Sequence, residues 1–232
     1  MNTIKRQARV AGVLYFLLAI TAPIGLVYVP SRLIVTGDAT ATADHLRASG
    51  SLLRIGIASE LFHQTMAIFL ALALYGLFKA VNRNQARLLL ILGALVSVPI
   101  VFLNVVNEVA ALILVSDAKF LSVFEPRQLD ALAYLFLRLH KQGITVASIF
   151  WGLWLFPFGM LVIRSGFIPR VIGVALWIAG AAYLVYAGVA FLLPQYAGAV
   201  GQYALALEGL ELPIILWLLI VGARVPSQPV AS

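Results

Sequence analysis

The chain contains no cysteine. That excludes disulfide bridges, iron–sulfur ligation and thiol chemistry, and it says nothing further about compartment. Charge is scarce as well. Only 11% of the 232 residues are Asp, Glu, Lys or Arg, against about 25% in a soluble domain. Several chemistry-bearing motifs are missing: there is no G-x-G-x-x-G, phosphate-binding loop or H-E-x-x-H, and no G-x-S-x-G elbow. Dinucleotide binding, P-loop phosphate binding, helix-borne zinc proteolysis and serine hydrolysis of those types have no carrier here.

What the chain has in excess is apolar surface, with 62% of its residues hydrophobic. A soluble fold of this size could not hide so much, but a bilayer accepts it as lipid-facing helix. The net charge of +7 resembles a nucleic-acid signal only until it is mapped. The basic residues lie in short loops beside apolar runs, as membrane topology determinants do. The expected partners are membrane lipids, not nucleic acid.

A transmembrane helix needs about 20 mostly apolar residues. Six runs qualify: Ala8–Val29, Leu52–Ala80, Leu88–Val115, Ala131–Ile163, Val171–Leu193 and Gly201–Ala223. The expected fold is all-α, one integral membrane bundle of six transmembrane helices over residues 1–232. The first run follows Lys5, Arg6 and Arg9 and could be taken for a secretory signal. It is about twice the length of a signal's apolar core and has no clear small-x-small cleavage site, so a retained helix is expected.

Orientation follows from the basic residues. One side collects Lys5, Arg6, Arg9, Lys79, Arg83, Arg87, Arg164, Arg170 and Arg224, with no acid. The other side's loops hold Arg32, Arg47, Lys119 and Arg127 beside Asp38, Asp44, Asp117, Glu125 and Asp130. The basic side, with both termini, is expected in the cytoplasm. The longer segments Pro30–Gly50 and Ser116–Asp130 then face outward, and Pro126 is suited to open a helix.

Charged residues also fall inside the apolar runs: Arg54, Glu60, Glu108, Arg138, Lys141, Glu208 and Glu211. His63, His140, Gln64, Asn104 and Asn107 accompany them. A charge at the bilayer centre costs about 2.5–3.5 kcal/mol on insertion scales, and such residues usually face the bundle interior. Counted inward at about 1.5 Å per residue, those on the second, third, fourth and sixth runs lie roughly 10–18 Å from the outer ends. Four helices thus place polar groups in one slab of the outer half. By helical phase, Arg138, Lys141, Gln142, Thr145 and Ser148 form the inner stripe of the fourth run, while His140 is about 200° from Arg138 and off that stripe. Arg54 is close enough to the interface to snorkel.

Three functions fit this slab. In a structural network, Arg138 and Lys141 pair with some of the glutamates while Asn104 and Asn107 bond between helices. In a ligand, proton or ion site reached from outside, as in a sensor or transporter, the residues are Glu60, His63, Asn104, Asn107, Glu108, Arg138, Lys141, Glu208 and Glu211. In a metal-dependent membrane enzyme, a divalent metal is held by Glu60, His63, Glu108, Glu208 and Glu211. There the E-x-x-H of Glu60 and His63 and the E-x-x-E of Glu208 and Glu211 are similar to carboxylate-bridged sites in helical bundles, although the second pair lacks its histidine. Of these, a ligand, proton or ion site leads.

The aromatic stretch Phe150, Trp151, Trp154, Phe156 and Phe158 reads as lipid contact and interfacial anchoring, with a kink at Pro157. Gly173, Ala175, Ala179 and Gly180 offer close helix packing. The run from Phe150, "FWGLWLFPFGMLVIRSGFIPRVIGVALWIAGAAYLV", resembles the bacterial membrane family catalogued as domain of unknown function 4386. The features that carry the resemblance are "PFG", the "RSGFIPR" turn from Arg164 to Arg170, the Ala179–Gly180 pair, the basic amino-terminal stretch and Asn107–Glu108. It implies a multi-pass membrane protein of bacteria. It implies no activity, catalytic set or cofactor.

Overall fold

In hydrocarbon, an apolar run must satisfy its backbone internally, and helix is the one-segment way to do so. The computed structural model, which describes residues 3–224, is accordingly helical. Six helices among the described residues are long and apolar enough to cross a membrane: α1 (Thr3–Leu33), α2 (Ala39–Phe78), α3 (Arg83–Leu114), α4 (Pro126–Ser165), α5 (Arg170–Leu192) and α6 (Pro194–Val221). The termini, expected in the cytoplasm, lie outside the described residues.

Every expected apolar run has its helix, but the helices outrun the apolar stretches at the polar ends. The segment Pro30–Gly50, read as a loop, is mostly helical. Here α1 continues to Leu33 and α2 already begins at Ala39. Asp38 starts it, its Oδ1 accepting from the Ala41 N–H at 2.9 Å, as an N-cap carboxylate does. The Ala-rich stretch that follows has good helix propensity. The departure from helical geometry comes later, at Ser49 (φ −134°, ψ 37°). Pro126 opens α4 as expected, after a 3₁₀ turn at Lys119–Val123. The helix runs on through Pro157 to Ser165. Among the described residues, three helices contain a π turn: Ile24–Tyr28 in α1, Ile91–Val96 in α3 and Trp217–Val221 in α6.

The chain forms two compact units. One takes Leu18–Thr65 and Val98–Ala147, and the other takes the described residues up to Leu17, Met66–Ser97 and those from Ser148 onward. The first has an aliphatic core of Val29, Leu33, Leu46, Leu53, Ala111, Ala133 and Leu137. Its polar end is tied down by Arg47, which pairs with both Asp44 and Asp130, and by the Gly37 N–H, which donates to the Tyr134 hydroxyl at 2.9 Å.

The second unit has an aromatic core. Trp154 and Phe158 pack at 5.6 Å between ring centroids, and Tyr15 stands edge-on to Trp154 at 5.9 Å. Trp154 and Phe158 are buried, so the expectation of lipid contact is corrected for these two. Aromatic rings bury more area than any other side chain, and here they fill the unit. The small residues of α5 behave as expected: Gly173 and Gly180 face Gly159 and Gly152 of α4, with no room for a side chain.

Candidate functional site

The first unit draws three ionisable side chains from three helices to one point. Glu60 comes from α2, Glu108 from α3 and His140 from α4, all buried, and one ligand atom of each lies within 4.8 Å of the others. His140 Nε2 is 3.3 Å from Glu60 Oε1 and 3.8 Å from Glu108 Oε1. The carboxylates are 4% and 2% exposed, yet apart from the His140 contact both oxygens of Glu60 and Oε2 of Glu108 accept no hydrogen bond. Leaving a buried acceptor unmatched costs about 1–3 kcal/mol, and more for a charged group.

The other face of the imidazole is held by Asn104. Its Nδ2 donates to the His140 carbonyl at 2.8 Å and lies 3.2 Å from His140 Nδ1. The Asn104 main-chain carbonyl is 3.4 Å from the same Nδ1. Nδ1 therefore has both an acceptor and a donor within reach. When Nδ1–H donates to the carbonyl, Nε2 presents its lone pair to the carboxylates. Asn107 fixes Asn104 in turn, its Nδ2 donating to Asn104 Oδ1 at 3.0 Å. A histidine that turns one nitrogen to a metal characteristically donates its other N–H to such a backbone carbonyl.

Two glycines make room for this arrangement. A Cβ on Gly25, inside the π turn of α1, would sit 2.7 Å from Glu60 Cγ. A Cβ on Gly143, one turn beyond His140, would sit 2.0 Å from Asn104 Oδ1. A π turn inside an α-helix frequently marks a functional position; here it lies against the Glu60 side chain.

A cavity of about 310 Å³ reaches the cluster, with Glu108 and His140 in its wall. Lys141 lines it too, and Pro30, Ser31 and Thr36 bound it at the end of α1. A second void, just large enough for about one water, lies between Glu60, His63 and Gln64.

Each residue singled out in the sequence now has a place. Glu60, Glu108 and Asn104 are buried at the cluster, and Asn107 supports it. His63 is absent from the three-residue group. Its Nδ1 lies 3.2 Å from the Leu18 carbonyl and 3.3 Å from Thr21 Oγ1, and it borders the void beside Glu60. Arg138, Lys141 and Gln142 are not buried with the cluster: Arg138 and Lys141 are exposed. Arg138 lines a separate shallow hollow with Tyr134 and Gln142. The buried positions of α4 include Ala133, Leu137, His140 and Ala147, together with Thr145 and Ser148 of the expected stripe. The expected phase of α4 is thus corrected at Arg138, Lys141 and Gln142, and His140, set aside in the sequence, is the residue that reasoning missed. Glu208 and Glu211 belong to the other unit, where Glu211 accepts a hydrogen bond from the Tyr15 hydroxyl.

The family model described as Domain of unknown function (DUF4386) matches residues 10–222, nearly the whole described chain. No curated protein and no solved structure compared with the chain matches it.

Proposed function

We propose that this chain, which belongs to the family described as Domain of unknown function (DUF4386), is a multi-pass membrane protein that holds a divalent metal ion at Glu60, Glu108 and His140. One observation carries the reading: one ligand atom from each of two buried glutamates and a buried histidine lies within 4.8 Å of the others, and three of the four carboxylate oxygens accept no hydrogen bond from any other group. Charge favours a cation. Were both carboxylates ionised they would bring two negative charges, of which a protonated His140 offsets one. Among the described residues, no lysine or arginine is buried with them, so the salt-bridged network loses its basic partners. A divalent cation with neutral imidazole balances the set, and carboxylate–imidazole donors suit Mn²⁺, Fe²⁺, Co²⁺ or Zn²⁺.

Three protein ligands leave coordination positions open, the pattern of catalytic rather than structural metal sites. Because the cavity ends at the ligands, this observation favours a metal-dependent enzyme as the second reading. Elemental analysis of the protein purified from membranes tests the main one. About one transition metal per chain is expected, lost in His140→Ala. A folded protein that holds no metal and takes up none of the four ions on dialysis would exclude it.

The Lys and Arg distribution favours the short basic loops and both termini in the cytoplasm of a bacterial inner membrane. The cavity then opens outward, near the α1–α2 connection. In the cysteine-free chain this is directly measurable. An impermeant maleimide on intact cells should label Asp117→Cys and spare Asn84→Cys; the reverse pattern would invert the topology.

A further inference from the structure

The cavity in front of Glu108 and His140 has a polar floor and an aliphatic wall. Leu26, Leu33, Leu46 and Leu53 line it, and Lys141 supplies a cation. A wholly hydrophilic solute would leave that wall unsatisfied, since apolar surface gains from contact with apolar surface. A plain hydrocarbon would leave the cation and the open metal positions unused. The volume of about 310 Å³, where about 10–15 Å³ already admits one water, leaves room for an alkyl chain several carbons long.

Resting on the metal reading above, we infer that the cavity binds a medium-chain alkyl carboxylate, its head group between the metal and Lys141 and its chain along the leucine wall. The carboxylate fills an open metal position with an oxygen donor, as hard divalent ions prefer. The ammonium of Lys141 meets the remaining head-group charge from the rim, where its flexible stem lets it reach inward. Eight carbons and two oxygens fit within that space; a two-carbon acid makes the head-group contacts but leaves the wall unfilled.

The test uses the full chain in phosphatidylcholine nanodiscs, loaded with Mn²⁺ and assayed for metal content first. The probe is ¹³C-labelled octanoate, observed by NMR. Bound Mn²⁺ should broaden the carboxyl carbon strongly and the terminal methyl weakly. Acetate at the same concentration should show little broadening. Lys141→Gln should retain its Mn²⁺ and weaken octanoate binding about tenfold, the effect of one charge-assisted contact. Three outcomes overturn the proposal while leaving the metal reading intact: Mn²⁺ bound but octanoate unbroadened, acetate and octanoate equal, or Lys141→Gln without effect. Absence of Mn²⁺ from the native protein, with no uptake of Fe²⁺, Co²⁺ or Zn²⁺ either, sinks the metal reading itself. Octanoate binding that then persists and depends on Lys141 would support the cavity alone, and its loss would end both.

Discussion

Glu108→Gln should yield a folded protein that no longer binds the ion and that is more stable than the native chain when both are metal-free. The two halves of this expectation have one cause. Without a cation, Glu60 and Glu108 bring like charges together in a dry place with three oxygens unmatched. Glutamine removes one charge and offers an amide that can donate to Glu60, so the metal-free form should gain roughly 1–3 kcal/mol. With metal the order reverses. A ligand at a hundredfold excess over its Kd stabilises the native protein by about 2.7 kcal/mol, and the variant forgoes that stabilisation. Thermal unfolding of both proteins with and without Mn²⁺ should therefore give curves that cross. A plain hydrogen-bonded network predicts the opposite metal-free order, because truncating one partner of a buried network destabilises it. Loss of stability in Glu108→Gln without metal would return the cluster to a structural role.

The six helices were legible in the sequence because hydrophobic run length is a property of composition alone, independent of how the helices pack. The extra helix at Ala39 was hidden because its residues are polar and Ala-rich, and its cue is one local contact from Asp38. The site was half legible. Glu60, Glu108 and Asn104 stood out because a carboxylate or amide inside an apolar run needs a protein partner. Phase misled on α4. Arg138 and Lys141 look like interior charges by position, but a long basic side chain keeps its head exposed while its stem covers apolar surface, Arg138 at a separate hollow and Lys141 at the cavity rim. Both are exposed. Imidazole has no such reach. His140 shares a stripe with Ala133 and Leu137, spaced four and three residues apart, and that apolar stripe with one histidine was the available signal.

The Glu208–Glu211 pair had the spacing of a ligand motif and a different use. Two acids one turn apart on a helix look alike whether they face a cation or a hydroxyl, and spacing does not tell which. The structure gives Glu211 the Tyr15 hydroxyl, a donor 196 residues away in sequence. Glu60 and Glu108 have the His140 imidazole beside them in place of a hydroxyl. A hydroxyl meets an acid's hydrogen-bonding needs and leaves little reason for a metal, whereas bare oxygens beside an imidazole leave the need unmet.

The same logic reaches one step outward, to the glycine that lets Asn104 hold His140. Gly143→Ala should cost roughly 1–3 kcal/mol, the range for overpacking a tight core, and should weaken metal binding by about 10–100-fold, the range for losing a supporting contact. The new methyl would fall 2.0 Å from Asn104 Oδ1 and 2.7 Å from its Nδ2. Asn104 must then move, and with it the hydrogen bond to the His140 carbonyl and the contact with Nδ1. None of the three proposed ligands is altered, so the loss would travel through ring orientation alone. A double mutant isolates that route. In Asn104→Ala the side chain that clashes is already gone, and adding Gly143→Ala should cost little more in either stability or Mn²⁺ affinity. Residues in contact are expected to be non-additive in this way, by about 0.5–3 kcal/mol. Additive losses in the double mutant would mean that Gly143 acts on the helix backbone and not on Asn104, and the proposed support for His140 would fall.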